Sequence, residues 1–352
     1  MSAQQIFEDT VARIASLYGD SLFTRGGQRC PLRVFLPQPQ QIDDPDSLLG
    51  PAPIPEERGR EFAQYNHAYL QSLQNSGRRV FNGVTFAFQR LRPAPLRLEA
   101  FLGRYFDMLA TCAALDDEMQ AAAERRGTRL PGRTQYHRQH PAARAALDGT
   151  GRSAAIGGAT LIVCPVEGEY RAILARRSSD TALDAGRYHL LPAFIFQPAR
   201  VDYHALEWSV RYHVLRELAE ELFGAPEPGP ETPPSAVLAH PGLQDWAAME
   251  ARGLASLHLT GIAFNYLTLR PEICALLLVR DAEWWPRLHD AQSAARIDVQ
   301  AETDGKLALV PIHSDEALRA ALPSQLHLHM PPQAYAALWL GVDLARERLG
   351  LC

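Results

Sequence analysis

The first third of the chain shows apolar positions at helical spacing, interrupted by one long polar stretch. Residues 2–18 place apolar side chains near helical spacing and stop at Gly19, which predicts an amphipathic helix. Residues 36–59 are rich in proline and acids, and because proline sustains neither a helix interior nor a central strand, this stretch predicts a long loop or an extended segment that wraps the fold. A second helix is expected at about residues 60–75.

The stretch 78–93 combines short apolar runs with the dipeptide Asn82-Gly83, the strongest short signal of a tight hairpin turn. Two strands are therefore expected around it. Residues 98–127 place apolar side chains at helical spacing from Leu98 to Leu109, so helical structure is expected in this segment. The first 130 residues are thus predicted to form an α+β unit.

The second half of the chain is rich in short apolar runs typical of strands. Residues 159–178 form two runs separated by Glu167-Gly168, which predicts two antiparallel strands. The remaining predicted elements are a short strand at 188–198, a helix at 212–224, two strands within 258–281 around Arg270-Pro271, and a closing helix at roughly 332–348.

A polar, basic stretch broken by glycine and proline occupies residues 127–153. A chain of 352 residues is long for a single core, and 47% hydrophobic residues supply enough apolar surface for two. We therefore predict an N-terminal α+β domain over residues 1–130, a linker over 131–153, and a second domain with the C-terminal helix over 154–352.

Composition and charge narrow the class of partner. The formal net charge of -5 provides no broad basic face for nucleic acid. Because no apolar run is long enough to span a membrane and no signal-peptide pattern is present, a cytoplasmic protein without a membrane partner is expected. The five cysteines lack CxxC spacing, which favours buried, reduced thiols. The expected partner is a small molecule or another protein.

The segment YHVLRELAEELFG, from Tyr212 to Gly224, carries three carboxylates on adjacent turns of one predicted helix. At about 100° per residue, Glu217, Glu220 and Glu221 fall within one sector about 100° wide, while the apolar residues point the other way. His213 lies one turn before Glu217 and shares the acidic sector. A carboxylate cluster with a nearby imidazole is therefore expected on a packed helix.

This cluster has two interpretations. Hard divalent cations such as Mg²⁺ take oxygen ligands, usually one or two carboxylates plus substrate phosphates, and the cluster supplies such ligands. Arg216 precedes Glu220 by four residues and could fix that carboxylate by a charge-assisted bond. Alternatively, these residues are all good helix formers, and a solvated helix with one ion pair needs no function.

The segment resembles the Nudix box, whose core is Arg-Glu-(apolar)-x-Glu-Glu-x-Gly-(apolar) on a helix that follows a strand and a loop. RELAEELFG matches this core, except that Phe223 stands at the glycine position and Gly224 comes one residue later. The family also has a Gly-x5-Glu segment that ends eight residues before the arginine, where this chain has Trp208, with Glu207 one place off. The preceding loop, residues 190–208, keeps a proline but has no glycines.

The resemblance covers about residues 155–315 and implies a Nudix-like α/β/α sandwich with a mixed sheet, preceded by the N-terminal α+β domain. It further implies a Mg²⁺-dependent (or Mn²⁺-dependent) hydrolase of a nucleoside diphosphate linked to another moiety. By the family's pattern, Glu217, Glu220 and Glu221 would bind the cation while water attacks phosphorus. Arg216 would orient Glu220 or Glu221.

The departures from the box favour a second hypothesis, a catalytically inactive Nudix-like module that senses a ligand or binds another protein. Such a module would retain the fold without the chemistry, because fold does not determine function. The missing glycine loop, the displaced box glycine and the displaced upstream acid all point this way.

Two further groups of residues are candidates for substrate binding. Arg176 and Arg177 end a predicted strand and could meet substrate phosphates, although a solvated strand end accounts for them equally well. His189 lies near where a substrate would enter, and His213 lies on the acidic helix. Histidine acts as a base or ligand near neutral pH, whereas a lone loop histidine is more often polar surface.

Overall fold

A computed structural model shows that the protein has an α+β fold, and this confirms the predicted fold class. The described residues are 2–54, 68–76, 81–125, 127, 129–177, 187–229, 231–288 and 303–351. The predicted helix at about 60–75 falls partly outside them, as do the residues predicted to form a strand before Phe81.

The N-terminal part alternates helices with short strands. In chain order its elements are α1 (Ala3–Tyr18), β1 (Thr24–Arg25), β2 (Gln28–Arg29), β3 (Leu32–Phe35), α2 (Pro39–Ile42), α3 (Ala68–Asn75), β4 (Val84–Pro93), β5 (Leu96–Arg104), α4 (Tyr105–Met108), α5 (Ala114–Glu124) and α6 (Pro131–His137). A π turn, Leu109–Ala113, joins α4 to α5.

The C-terminal part supplies most of the main sheet. Its elements are β6 (Gly157–Val166), β7 (Glu169–Arg177), β8 (Tyr188–Leu190), β9 (Ala193–Ile195), α7 (Val210–Phe223), α8 (Pro234–Leu238), α9 (Pro241–Ala251), β10 (Ala255–Asn265), β11 (Arg270–Val279), β12 (Thr303–Pro311), α10 (Asp315–Ala320), α11 (Leu326–His329) and α12 (Pro332–Leu349).

The main sheet has eight strands in the described part of the chain. Its principal order is β12-β7-β6-β11-β10-β3, with β8 paired to β7 and β9 paired to β6. Strands β6 and β11 run parallel, and the other pairings between these strands are antiparallel. The sheet is therefore mixed.

Two hydrophobic clusters cover the two faces of this sheet. Along β6, Ile162 and Cys164 belong to the first cluster together with α7, whereas Leu161 and Val163 belong to the second together with α12. Side chains of a strand point alternately to opposite faces, so one strand contributes to both clusters. Helix α7 thus packs on one face of the main sheet and helix α12 on the other.

The strand β3 joins the two predicted parts of the chain. It lies within residues 1–130 but pairs with β10, with Phe35 opposite Ile262 and Leu32 opposite Asn265. The first hydrophobic cluster likewise contains side chains from α1, from the β4–β5 hairpin and from α7. The division into residues 1–130, 131–153 and 154–352 stays a prediction.

The β4–β5 hairpin corrects two predictions. Its turn lies at Ala94-Pro95, not at Asn82-Gly83. Residues predicted to begin a helix at Leu98 instead form β5, in which Leu96, Leu98 and Leu102 are buried on alternate positions. Leu98 and Leu102 satisfy a period of two as well as a helical period, and pairing with β4 selects the strand.

Other predicted elements are confirmed. Helix α1 and closing helix α12 occupy the expected segments, and β6 and β7 flank Glu167-Gly168 as an antiparallel pair. Strands β10 and β11 are also present, with their turn at residues 266–269 rather than at Arg270-Pro271. The four described cysteines are buried free thiols, and Cys352 lies outside the described residues. None of the helices that the structure describes combines the length and apolar character needed to cross a bilayer.

Candidate active site

Helix α7 is fixed at both ends by side-chain and backbone bonds. The Ser209 hydroxyl caps its start by accepting from the Tyr212 N–H at 3.0 Å, and the Asp46 carboxylate accepts from the Arg211 N–H at 3.1 Å. At the other end Gly224 adopts φ +68° and donates its N–H to Ala219 O. Glycine adopts this positive φ at the lowest cost, so the glycine that is displaced from the Nudix pattern serves as the helix stop.

Phe223 takes the position at which the Nudix pattern has glycine. Its ring packs against Gly242 of α9, where an added Cβ would approach the ring to 2.5 Å. It also lies parallel to the His240 ring, with 6.2 Å between ring centroids. The substitution is therefore accommodated by packing between α7 and α9.

Arg216 lies at the centre of the acidic residues. Its Nη2 donates to Glu217 Oε1 at 2.6 Å, and its Nη1 donates to the Gln197 carbonyl at 3.1 Å. Its Nε lies 3.4 Å from Glu220 Oε1. Arg216 and Glu220 thus form an ion pair rather than the predicted charge-assisted hydrogen bond, and Glu217 is an additional partner that accepts a hydrogen bond from Arg216.

Glu221 has a different contact. Its Oε2 accepts a hydrogen bond of 3.3 Å from the Ala193 N–H at the start of β9. Helix α7 is thus tied to the segment between β8 and α7 at two points, through Glu221 to Ala193 and through Arg216 to Gln197.

Glu207, one place from the acid position of the Nudix pattern, also belongs to this group. Its side chain is fully buried, and its Oε2 lies 4.0 Å from Arg216 Nη1 and accepts from the Ala199 N–H at 2.8 Å. Its Oε1 is buried without a hydrogen-bond partner among the described residues. Burial raises the pKa of Glu207, and the Ala199 N–H and Arg216 oppose this effect. The sequence signal for Glu207 is an acid one residue from the position at which the Nudix pattern has glutamate.

We call the set formed by Arg216, Glu207, Glu217, Glu220 and Glu221 the Arg216 cluster. Arg216 is largely buried, which by itself lowers the pKa of its guanidinium, but Glu217 and Glu220 outweigh this and raise it. The side chains of Glu217 and Glu220 are only 14% and 18% exposed. These residues are therefore not a solvated helix face, and a buried guanidinium offsets part of the repulsion between the carboxylates.

The donor chemistry of the cluster fits a hard cation. Glu217, Glu220 and Glu221 would offer only oxygen atoms, and the carboxyl groups of Glu207, Glu217 and Glu220 all lie within 4.0 Å of the single Arg216 guanidinium. Within the described ranges, however, no three His, Cys, Asp or Glu side chains converge on one point as metal ligands do. The carboxylates are oriented towards Arg216 and Ala193 instead.

His213 does not share the surface of the glutamates. It is fully buried, its Nε2 lies 2.9 Å from the Glu207 carbonyl, and its ring contacts Phe196 edge-on with 4.1 Å between centroids. Burial and the nearby Arg216 charge lower the pKa of His213 well below its ordinary value. The imidazole is therefore packed against Phe194 and Phe196, and not open to a ligand at the protein surface.

The other predicted substrate residues lie on β7 and β8. Arg176 is exposed and pairs with Tyr188, while His189 is buried and its Nδ1 accepts from the Leu190 N–H at 3.0 Å. Arg177 pairs through its backbone with Thr303, and its side chain lies outside the described residues. His189 stands four residues before Ala193, whose N–H contacts α7.

No family model matches the chain, and no curated protein matches it either.

Proposed function

We propose that the protein is a cytoplasmic, Mg²⁺-dependent hydrolase of Nudix type that cleaves a nucleoside diphosphate linked to another moiety. The observation that carries the proposal is the Arg216 cluster, in which three partly buried glutamates stand on a helix whose other face is packed in the core. A rigid helix of this kind holds carboxylates in one geometry, as a metal-assisted phosphoryl transfer requires.

Each residue has a stated role in this proposal. Arg216 holds Glu217 and Glu220, and the Ala193 N–H holds Glu221. A divalent cation bound by these three glutamates would neutralise the diphosphate and polarise its phosphorus-oxygen bonds. Arg176, Arg177 and His189 would contact the phosphates from β7 and β8.

The test is hydrolysis of ADP-ribose, used as a generic diphosphate, with Mg²⁺ or with excess chelator. We expect Mg²⁺-dependent product release that falls about 100-fold or more in Glu220→Gln, because one electrostatic contact to the transition state is lost. Glu231→Gln is the matched control, since the Glu231 side chain is 93% exposed and lies outside the cluster. Chelator-resistant turnover, or an equal rate in Glu220→Gln, would contradict the proposal.

A second candidate function is a ligand-binding module without hydrolysis. The observation that favours it is that Arg216 already pairs with Glu217 and lies against Glu220, which gives these carboxylates a cationic neighbour without a metal. Such a module would be stabilised against heat by ADP-ribose in the presence of chelator, without product. A thermal shift that requires Mg²⁺ would count against it.

A further inference from the structure

A second polar cluster lies on the other side of the main sheet from helix α7. Ser256 and His258 alternate along β10 with Leu257 and Leu259, which belong to the first hydrophobic cluster. Because successive strand residues face opposite sides, Ser256 and His258 face the side covered by α12. Arg348, in the last turn of α12, reaches this place.

The side chains of Ser256, His258 and Asp43 form a continuous chain of hydrogen bonds. Ser256 Oγ lies 2.7 Å from His258 Nε2, and His258 Nδ1 lies 2.6 Å from Asp43 Oδ1. A carboxylate accepts from the Nδ1–H, so Nε2 is the nitrogen left to accept the Ser256 hydroxyl proton. This order, hydroxyl to imidazole to carboxylate, is that of a general base held in its productive tautomer beside a nucleophile.

Two arginines complete the group, which we call the His258 cluster: Ser256, His258, Asp43, Arg348 and Arg280. Arg348 Nη2 donates to both oxygens of Asp43, at 2.8 and 3.0 Å. Arg280 Nη1 lies 3.5 Å from Ser256 Oγ. One arginine therefore fixes the carboxylate, and the other places a cationic donor beside the hydroxyl oxygen.

The burial of the cluster suits a reaction at the protein surface. His258 is 7% exposed in its side chain, whereas Ser256 is half-buried and the Asp43 side chain is 59% exposed. The imidazole is thus held among packed side chains, while Ser256 and Asp43 are less buried than His258. Burial lowers the pKa of His258 although Asp43 opposes this, so the imidazole is neutral and able to accept a proton at neutral pH.

We propose that Ser256, His258 and Asp43 form a second catalytic site, which hydrolyses carboxylic esters through an acyl-serine intermediate. Ser256 is the nucleophile, His258 is the general acid and base, and Asp43 is a positioning residue. Arg280 stabilises the negative charge that develops on the carbonyl oxygen.

The reaction balances without a cofactor. Ser256 Oγ attacks the ester carbon as its proton passes to His258 Nε2; the bond from that carbon to the alcohol oxygen breaks, and the alcohol leaves with the proton. Water then attacks the acyl group and gives a proton to His258. The bond to Ser256 Oγ breaks, the carboxylic acid leaves, and Ser256 regains its proton. The net reaction consumes one ester and one water and yields an acid and an alcohol.

Labelling of the wild-type protein tests the nucleophile directly. A fluorophosphonate probe reacts with activated serines with loss of fluoride, and peptide mass spectrometry locates the adduct. We expect the adduct on Ser256, lost in Ser256→Ala and kept in Ser235→Ala, because Ser235 is an exposed serine on α8. No adduct, or an adduct only on other residues, would overturn the proposal without any variant having to fold.

Turnover tests the roles of the partners. The probe is p-nitrophenyl acetate, and chelator removes any metal-dependent hydrolysis at the Arg216 cluster. Under these conditions kcat/KM should fall about 1,000-fold in Ser256→Ala and about 100-fold in His258→Gln. The thermal midpoint of each variant shows whether it is folded. An unchanged kcat/KM in folded Ser256→Ala would overturn the proposal.

The pH profile distinguishes positioning by Asp43 from a purely structural role. The charged groups that face His258 are Asp43, Arg348 and Arg280, and among them only Asp43 raises its pKa. In Asp43→Asn, the acidic limb of the kcat/KM profile should therefore move to lower pH. A lower rate with the limb unmoved would assign Asp43 a structural role and overturn its part in the proposal.

Discussion

The Arg216 cluster and the His258 cluster stabilise their buried polar side chains by different interactions. In the first, the Arg216 side chain is only 7% exposed and lies within 4.0 Å of Glu217 and Glu220 on its own helix and of Glu207 in the preceding loop. In the second, an imidazole bridges a hydroxyl and a carboxylate from separate elements, and the carboxylate is more than half exposed. The first therefore depends on charge balance in a low dielectric, and the second on directed hydrogen bonds near solvent.

The largest expected difference between the clusters is in stability. Arg216→Met leaves the buried carboxyl of Glu207 without its cationic neighbour, so the free energy of unfolding should fall by about 3–5 kcal/mol. Urea unfolding measures this. Arg144→Met is the control, because the Arg144 side chain is 70% exposed and its change should stay within about 0.5 kcal/mol. Equal effects at the two arginines would show that the Arg216 cluster is not held by charge balance.

Replacement of His258, the central residue of the His258 cluster, should lower the free energy of unfolding by less than Arg216→Met does. His258→Gln breaks two hydrogen bonds, but Asp43 is open to water and keeps Arg348, so we expect a loss of about 1–2 kcal/mol. Urea unfolding of His258→Gln and Arg216→Met under the same conditions compares the two losses of stability. A loss as large as that of Arg216→Met would contradict the contrast between the clusters.

The pH dependence of stability sharpens the comparison at His213. Its pKa is lowered by burial and by Arg216, so the folded state keeps it neutral while the unfolded state takes up a proton near its ordinary pKa of about 6.5. Stability is therefore complete above about pH 6.5 and falls below it, by about 1.4 kcal/mol per pH unit for one such group. In His213→Leu this slope should be smaller by that amount. An unchanged slope would contradict the burial of a neutral His213.

The smallest expected effect concerns the end of α7. Gly224→Ala places a Cβ at φ +68° and should cost about 1 kcal/mol. Gly229→Ala is the matched control, since an added Cβ there meets nothing within 4 Å and no positive φ is imposed. If both variants are equally stable in urea, Gly224 does not act as the helix stop.

The contrast also explains what the sequence could predict. Helix α7 and the contact of Arg216 with Glu220 were predictable because spacing along one helix decides which residues meet. The burial of His213 was not, since it depends on Phe194 and Phe196 from another segment. Glu207 was visible only as an acid near the expected position.

The His258 cluster gave no local signal in the sequence. Ser256 and His258 are two residues apart, a spacing too common to be informative, and Asp43 and Arg348 reach them only because α2 and α12 pack beside β10. The helix predicted at Leu98 is wrong for the same reason. Leu98 and Leu102 fit both a helical period and a period of two, and pairing with β4 decides between them. Tertiary contacts, rather than local pattern, set these features.

Calorimetric titration with Mn²⁺ in the presence of ADP-ribose tests the central claim most directly. We predict binding to the wild-type protein and to Glu231→Gln, and at least about tenfold weaker binding to Glu221→Gln, because one carboxylate ligand is lost. Equal binding by Glu221→Gln and the wild type, or no binding by any of the three, would contradict a divalent cation at the carboxylates of helix α7.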